Sequence, residues 1–372
     1  MHIMNPFIVS GFGGAEYFCG RKKELKKLKE AFENRRNVTM FSLRRMGKSA
    51  LVKYHFEKTA KYADCFYADL FPSQSFDDMT EIIARSITGQ SKLSGKQLFD
   101  NIVSIVRSMG ASLSFNELTG SPEINFGFNK RGNYKKNLEE ILNILEKNKK
   151  KVLIALDEFQ IVRTFSEKNT EAYLRSVIQN LKNVNFIFLG SNNSIIESIF
   201  SDSKKPFYQS TQYMMLDEIG NEEYSEFIMM QFRKGKIRIS ESECELILKL
   251  CRTHTYYVQY LCNRLYSKAV HISPETVYSV LDEILQENEP VFLNYKNLLT
   301  SLQWKLAIAI AKEDKVKEPL AISFIKKYDL NSASSLKRAL DALLKKEIII
   351  YYKEMYQLND LFFSLWLKNY TL

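Results

Sequence analysis

The chain has 372 residues, enough for two or three domains of ordinary size. A hydrophobic fraction of 45% and an aromatic fraction of 13% exclude a largely disordered protein, and no apolar run reaches the ~18–20 residues that span a bilayer. The net charge of +10 favours polyanionic partners such as nucleotides or nucleic acid. The first residues lack the pattern of a secretory signal, so we expect a cytoplasmic protein without a membrane partner.

Cysteine and histidine usage argues against a metal or disulfide framework. The five cysteines are widely spaced and contain no CxxC pair, and the four histidines form no cluster. An odd number of scattered thiols fits neither a set of disulfides nor a zinc site. We interpret these cysteines as packing groups.

The N-terminal part alternates helical and strand patterns. In chain order it predicts a helix, a strand, a helix, a strand and a helix, at 21–36, Val38–Phe41, Ala50–Lys58, Ala63–Leu70 and 76–88. Residues 89–133 interrupt this alternation, with a helix near 95–108 and a β-hairpin around the turn TGSP. We expect this segment to be an insertion in the domain.

Two continuous apolar runs follow, at Val152–Leu156 and Asn185–Leu189. Such runs are typical of parallel strands that are buried on both faces. The remaining elements of this part are helices at 134–147, about 169–181 and Ser194–Phe200, and a last strand at Tyr213–Leu216. Strands that alternate with helices predict a doubly wound α/β domain.

After Asp217 the strand patterns stop. Helices are expected at Glu222–Gln231, Ser242–Arg252, Tyr257–Ala269 and Pro274–Leu285. From about 291 we expect helices at 293–311, near 319–327 and at 333–345, followed by two short strands, IIIYYK and MYQL. Three helices and a β-ribbon is the winged-helix order. The predicted domains are therefore a core at 1–217, a helical domain at 218–290 and a winged helix at 291–372.

A divergent phosphate-binding loop lies between the first strand and the second helix. Residues 42–49, SLRRMGKS, match the last three positions of GxxxxGK[ST], while Ser42 replaces the first glycine. Backbone N–H groups of such a loop face the phosphates, Lys48 reaches the β- and γ-phosphates, and the Ser49 hydroxyl binds Mg²⁺. The tripeptide GKS alone occurs by chance, but its strand–loop–helix context is the one that a P-loop requires.

An acidic pair, Asp157–Glu158, ends the buried run VLIAL. A carboxylate at this strand end can join Ser49 in holding Mg²⁺, and Glu158 beside it can polarise an attacking water. The alternative is an ordinary acidic strand–loop junction. Ser191 and Asn192, after the next strand, fit a position that senses the γ-phosphate, or else they form a polar turn that caps the following helix.

Seven stretches together resemble a known family, the archaeal-type ATPases, a STAND-class branch of the P-loop NTPases related to AAA+ proteins, and their bacterial relatives in particular. The stretches are YFCGRKKEL, SLRRMGKSAL, VLIALDEFQ, FIFLGSNNSIIESIF, PFYQSTQYMMLDEI, THTYYVQYLCNRLY and LNDLFFSLWLKNY. The resemblance covers nearly the whole chain. It implies an α/β core of the ASCE (AAA-like) P-loop type with a parallel sheet, an α-helical lid and a C-terminal winged helix.

The resemblance also implies ATP with Mg²⁺ and hydrolysis to ADP. It assigns Lys48 and Glu158 to catalysis and Ser49 and Asp157 to the metal. The candidate nucleotide-binding residues are Arg44, Arg45, Met46, Gly47, Lys48, Ser49 and Ala50 in the loop, Phe18 and Arg21 near the adenine, and Ser191 and Asn192. Arg44 and Arg45 can equally contact the lid or a neighbouring subunit, or be solvated.

The sequence departs from the family pattern at three places, of which the last two bear on hydrolysis and on lid motion. Ser42 replaces the loop glycine, Gln209–Ser210 stands where Gly-Arg is frequent, and Thr253–His254–Thr255 replaces Gly-His-Pro. Two hypotheses remain open. The chain is either a slow ATPase that works as a nucleotide-controlled switch, or a nucleotide-bound regulator that binds DNA or protein with little turnover.

The predicted winged helix bears on partners. Residues 291–372 carry 13 Lys/Arg and 8 Asp/Glu, a balance of +5. Its third helix would be the DNA-recognition element. The helix carries Lys337, Arg338, Lys345 and Lys346 against Asp341, a balance that permits phosphate contacts without demanding them. Winged helices also bind proteins, so both kinds of partner remain open.

Overall fold

The structure is a computed structural model that describes residues 5–89, 96–115, 122–126, 133–191, 193–268 and 270–370. The chain folds into two compact units. The core unit contains the described residues of 8–224 together with 254–256, and the helical unit contains those of 1–7, 225–253 and 257–372. In the described part of the chain, no helix combines the length and the apolar character needed to cross a bilayer.

Among its described residues the core unit contains seven strands, namely β1 Val38–Phe41, β2 Ala63–Asp69, β3 Ala111–Phe115, β4 Pro122–Phe126, β5 Lys151–Asp157, β6 Val184–Gly190 and β7 Gln212–Met215. Five of them form a parallel sheet in the order β2–β5–β6–β1–β7. The other two, β3 and β4, pair antiparallel. These strands confirm the predicted parallel sheet. The antiparallel pair agrees with the strands expected in the insertion, while the first three residues of the predicted turn TGSP lie outside the described residues.

Successive residues of the central strands point to opposite faces of the sheet. On β5, Ile154 joins one hydrophobic cluster and Leu153 joins another, and on β6 the same holds for Phe188 and Ile187. Both faces are therefore covered by apolar side chains, which explains the continuous apolar runs in the sequence. The doubly wound architecture is confirmed.

In the part of the chain that the structure describes, seven α-helices lie wholly in this unit: α1 Lys22–Glu33, α2 Lys48–Thr59, α3 Phe76–Thr88, α4 Lys96–Ser108, α5 Tyr134–Glu146, α6 Thr170–Ile178 and α7 Asn193–Phe200. Side-chain caps fix two of the starts. The Ser75 side chain accepts from the Asp78 N–H before α3, and the Asn133 side chain accepts from the Lys136 N–H before α5. Each such cap stabilises its helix by about 1 kcal/mol.

The helical unit begins within α8 Asn221–Lys234 and continues through α9 Glu241–Leu250, α10 Thr255–Lys268, α11 Pro274–Leu298, α12 Ser301–Glu313, α13 Ile322–Lys327, α14 Ala333–Lys345, β8 Ile349–Tyr352, β9 Met355–Leu358 and α15 Leu361–Asn369. Ser273 caps α11, with Pro274 in its first turn, as predicted. The antiparallel pair β8–β9 follows three helices, in the winged-helix order. Val316 adds a bridge to Tyr356 at the edge of this ribbon.

One predicted break is wrong. We expected separate helices at 274–285 and 293–311, whereas α11 runs unbroken to Leu298 with Pro290 in its interior, and α12 starts at Ser301. Proline removes one helical hydrogen bond, but tertiary packing keeps the following residues helical. Phe292 is buried, and its ring centroid lies 5.4 Å from that of Phe363 on α15. The expected boundary near 290 thus falls inside a helix, and the three-domain division stays a prediction.

His55 on α2 provides a pH-dependent contribution to stability. The residue is 2% exposed, its Nε2 has no hydrogen-bond partner among the described residues, and burial lowers its pKa to about 4. The unfolded chain, with a histidine pKa near ~6.5, binds the proton more tightly. The contribution of His55 to the free energy of unfolding is therefore fully present above about pH 6.5. It is lost as the pH falls towards 4, and the loss reaches up to about 3 kcal/mol.

We expect the variant His55→Leu to unfold with a weaker pH dependence than the wild type between pH 4 and 6.5, because leucine has no proton to bind. Urea unfolding at several pH values measures the difference. The exposed His271 supplies a matched control, His271→Gln. Parallel curves for wild type and His55→Leu would contradict the assignment.

Candidate functional site

The loop after β1 is shaped for an anion. Gly47 has φ 92°, in the left-handed region that glycine adopts without strain, and it turns the chain directly into α2. The first helical hydrogen bond runs from Leu51 N to Gly47 O at 2.9 Å. The N–H groups of Lys48, Ser49 and Ala50 thus precede the helical ladder, and they form the electropositive start of a twelve-residue helix.

Lys48 is folded back into this loop. Its Nζ donates to the Ser42 hydroxyl at 3.0 Å, to the Leu43 carbonyl at 3.2 Å and to the Ser42 carbonyl at 3.4 Å. Burial lowers the pKa of Lys48 to about 8, against the opposing effect of Asp157 and Glu158. Ser42, fully buried, therefore supplies a side-chain acceptor for the ammonium at the position where the motif has glycine.

Asp157 lies at the carboxyl end of β5, next to the start of α2. The Ser49 hydroxyl donates to its Oδ2 at 2.7 Å, although the two residues are 108 positions apart. The Tyr67 hydroxyl on β2 donates to the same Oδ2, and the Glu158 N–H donates to Oδ1 at 2.9 Å. Parallel pairing in register sets this geometry, because it aligns Asp69 with Asp157 and Tyr67 with Ala155.

Glu158 stands in a tight turn directly after β5, with φ 54°. A 3-10 helix, Phe159–Thr164, begins after it and was not predicted from the sequence. The Ser191 hydroxyl lies 3.0 and 2.8 Å from the two Glu158 carboxylate oxygens, and the Gln160 amide also donates to this carboxylate. The carboxylate is thus oriented by two uncharged donors. Asn192 lies outside the described residues.

Arg21 lies beneath the loop, with 5% of its surface exposed. Its guanidinium donates to the Met46 carbonyl at 3.2 Å and to the Asp217 carbonyl after β7. Phe18 packs against Tyr54 of α2, with ring centroids 4.6 Å apart. Arg21 therefore joins the loop to the sheet, while Phe18 is part of an aromatic surface beside α2.

Residues 254–256 belong to the core unit and contact the same loop. His254 Nε2 lies 3.0 Å from the Arg44 carbonyl, and the Thr255 hydroxyl donates to the Met46 carbonyl at 3.3 Å. The Arg45 guanidinium lies over the Tyr256 ring, 4.3 Å from its centroid. Of the alternatives for Arg45, the structure thus shows a contact with the segment predicted to open the lid helix.

The donor set fits Mg²⁺. A hydroxyl and a carboxylate lie side by side at Ser49 and Asp157, and Mg²⁺ binds through one or two such oxygens plus substrate phosphates rather than through an all-protein cage. Among the described residues there is no group of three or more His, Cys, Asp or Glu that could form such a cage. The chain's oxygens therefore suit a metal that arrives with a phosphate ligand.

Fold and site together define a P-loop ATPase domain with a C-terminal winged helix. A family model described as "ATPase domain predominantly from Archaea" matches residues 18–261, and one described as "Probable winged helix domain" matches residues 290–369. The chain belongs to this family of archaeal-type ATPases. A comparison with curated protein sequences found no match.

Solved structures share the architecture over almost their full length. A Walker-type ATPase of Pyrococcus abyssi is similar at a TM-score of 0.68 and 17% identity, covering 98% of this chain and 99% of that one. The ORC2 protein of Aeropyrum pernix, in ADPNP and ADP complexes, gives 0.59 and 10%, with coverages of 99% and 97%. The ORC1 protein of the same organism, in complex with DNA, gives 0.53 and 11%, with coverages of 98% and 96%. At these identities the likeness establishes the fold.

The structure brings most of the predicted site residues to one edge of the sheet. Lys48, Ser49, Asp157, Glu158 and Ser191 are linked there by the hydrogen bonds and charge interactions described above. Sequence reasoning missed Tyr67 and Gln160. The only signal for Tyr67 is its position two residues before the end of a strand, and that position becomes informative once the pairing of β2 with β5 is known.

Proposed function

We propose that the chain binds ATP with Mg²⁺ and hydrolyses it slowly to ADP and phosphate, as a nucleotide-controlled switch. The observation that carries this proposal is the convergence of Lys48, Ser49, Asp157 and Glu158 at the start of α2 and the end of β5. These are the groups that binding and hydrolysis of a triphosphate require. A cytoplasmic location remains the sequence-based prediction.

In this proposal each side chain has a stated task. The N–H groups that open α2, with Lys48, bind the phosphates, while Ser49 and Asp157 hold Mg²⁺, which neutralises phosphate charge when bound. Glu158 accepts a proton from the attacking water. The Ser191 hydroxyl, 2.8 Å from the Glu158 carboxylate, senses the γ-phosphate. Phe18 and its aromatic neighbours offer an apolar face to the adenine base of the nucleotide. Arg44, exposed at the loop, adds positive charge.

Calorimetry with Mg²⁺ and ATP on the wild type and on Lys48→Ala tests the binding step. We expect the substitution to weaken binding by about 10- to 100-fold, because charge-assisted hydrogen bonds contribute about 1.5–3 kcal/mol. Lys61→Ala, an exposed lysine beyond the end of α2, is the matched control and should bind as the wild type does.

Equal affinity in Lys48→Ala and the wild type would contradict the site. A folded wild type that binds no ATP would mean that the chain keeps only the architecture and serves as an adaptor.

A second candidate is a nucleotide-bound regulator that contacts DNA through α14. The observation in its favour is that Lys337, Arg338, Lys345 and Lys346 are all exposed on or directly after this helix. Duplex binding that weakens steeply with salt supports this candidate, since phosphate contacts release counterions. Nucleotide binding without phosphate release would favour it over the switch.

A further inference from the structure

Tyr67 lies at the site, but the proposed function assigns no role to it. It lies on β2, next to β5 in the sheet, and its hydroxyl donates to Asp157 Oδ2. The ring also contacts α2, because Lys53 Nζ lies over it at 4.9 Å from the ring centroid. Lys53 is four residues after Ser49 on α2, so the ring lies beside the helix that carries the hydroxyl ligand.

Three hydrogen bonds occupy most of the acceptor positions of the Asp157 carboxylate. Oδ2 accepts from Ser49 and from Tyr67, and Oδ1 accepts from the Glu158 N–H. A carboxylate offers about four acceptor positions, so one position on Oδ1 remains for a further partner. Three donors from α2, β2 and the turn after β5 thus fix the plane of this carboxylate and leave a single defined direction open.

Tyr67 is the one of these donors whose hydroxyl can be removed without altering a proposed metal ligand or the backbone. Ser49 would itself bind the metal, and the Glu158 N–H belongs to the backbone. The Ser49 hydroxyl can keep its hydrogen bond to Asp157 Oδ2 and still direct its oxygen lone pairs at a cation. This arrangement requires Oδ2 to keep its position. The phenol hydroxyl, which is anchored on a different strand, holds Oδ2 there.

We propose that Tyr67 is a positioning residue for Mg²⁺, acting through Asp157; the proposal rests on the function proposed above. Its hydroxyl holds the carboxylate in the orientation in which Ser49 and Asp157 bind the metal of a Mg²⁺–ATP complex. Removal of a residue that hydrogen-bonds to a metal ligand typically lowers metal affinity by about 10- to 100-fold.

The test is the Mg²⁺ dependence of ATP binding in Tyr67→Phe, measured by calorimetry with excess EDTA and at a series of Mg²⁺ concentrations. We expect ATP affinity without metal to match the wild type, and the Mg²⁺ concentration for half-maximal enhancement to rise by about 10- to 100-fold. Tyr213→Phe removes a hydroxyl from an exposed ring on β7 of the same sheet and should leave both quantities unchanged.

A second variant shows whether Tyr67 acts through the carboxylate. In the Asp157→Asn background, adding Tyr67→Phe should cause no further shift in Mg²⁺ dependence, because the group that Tyr67 orients is already altered. An additive shift would overturn the proposal, as would an unchanged Mg²⁺ dependence in the single variant. So would a parallel loss of ATP affinity with EDTA, which indicates a general structural role.

Failure of the proposed function has a different signature. A folded wild type that binds no ATP at any Mg²⁺ concentration overturns both proposals. A wild type whose ATP binding depends on Mg²⁺ and on Lys48, with Tyr67→Phe indistinguishable from it, overturns the Tyr67 proposal alone.

Discussion

Replacing Glu158 by glutamine is expected to reduce phosphate release from ATP by about 100- to 10,000-fold, the contribution of a positioned general base. Glutamine has nearly the same shape as glutamate but cannot take the proton of the attacking water. The Ser191 hydroxyl, 2.8 Å from the wild-type carboxylate, can still donate to the side-chain oxygen, so the turn should be preserved. ATP affinity should therefore stay within a few-fold of the wild type.

Phosphate release under single-turnover conditions, with calorimetric ATP binding in parallel, measures both quantities. The matched control is Glu57→Gln, an exposed glutamate on α2, which should release phosphate at the wild-type rate. Undiminished release in Glu158→Gln would remove Glu158 from the mechanism. A wild type that binds ATP yet releases no phosphate above background would instead support the regulator without turnover.

Truncation of Phe188 to alanine is expected to lower the free energy of unfolding of the core unit by about 3–5 kcal/mol. Phe188 lies on β6, is fully buried, and packs against four other phenylalanine rings at centroid distances of 4.7 to 5.8 Å: Phe159, Phe186, Phe200 and Phe207. Removing the central ring leaves a cavity that these neighbours, attached to different elements, can fill only in part.

Urea unfolding followed by circular dichroism measures this change. Both tryptophans, Trp304 and Trp366, lie in the helical unit, so tryptophan fluorescence reports that unit separately. Tyr213→Ala, the truncation of an exposed ring on β7, is the control and should cost less than about 1 kcal/mol. A comparably small effect of Phe188→Ala would show that this cluster does not stabilise the core.

The Phe188 cluster also bears on the site. Phe159 is the residue immediately after Glu158, and its ring is fully buried 4.7 Å from Phe188. This burial anchors the 3-10 helix and, with it, the left-handed backbone of Glu158 at φ 54°. The orientation of the candidate base thus depends on hydrophobic packing beneath it as well as on its hydrogen bonds.

Local patterning was sufficient for most of the elements and for the motif residues. The run Val152–Leu156 predicted β5, because its continuous apolar character and its length are visible within a few residues. The loop ending in Gly47-Lys48-Ser49 was recognisable because each residue type has a chemical task at a phosphate. The break expected near Pro290 was wrong, because the packing of Phe292 on α15 involves residues far away in the sequence.

Short-range patterns and residue chemistry were enough to predict the parallel α/β core, the loop and helix that open the site, and the acidic pair after β5. Which groups meet at the site depends on the tertiary structure. Tyr67 and Asp157 are 90 positions apart, and they come together because β2 and β5 pair in parallel register. Arg21 likewise joins the Met46 and Asp217 carbonyls across the fold. Such contacts follow from strand order and side-chain packing, which no local pattern of apolar and polar residues encodes.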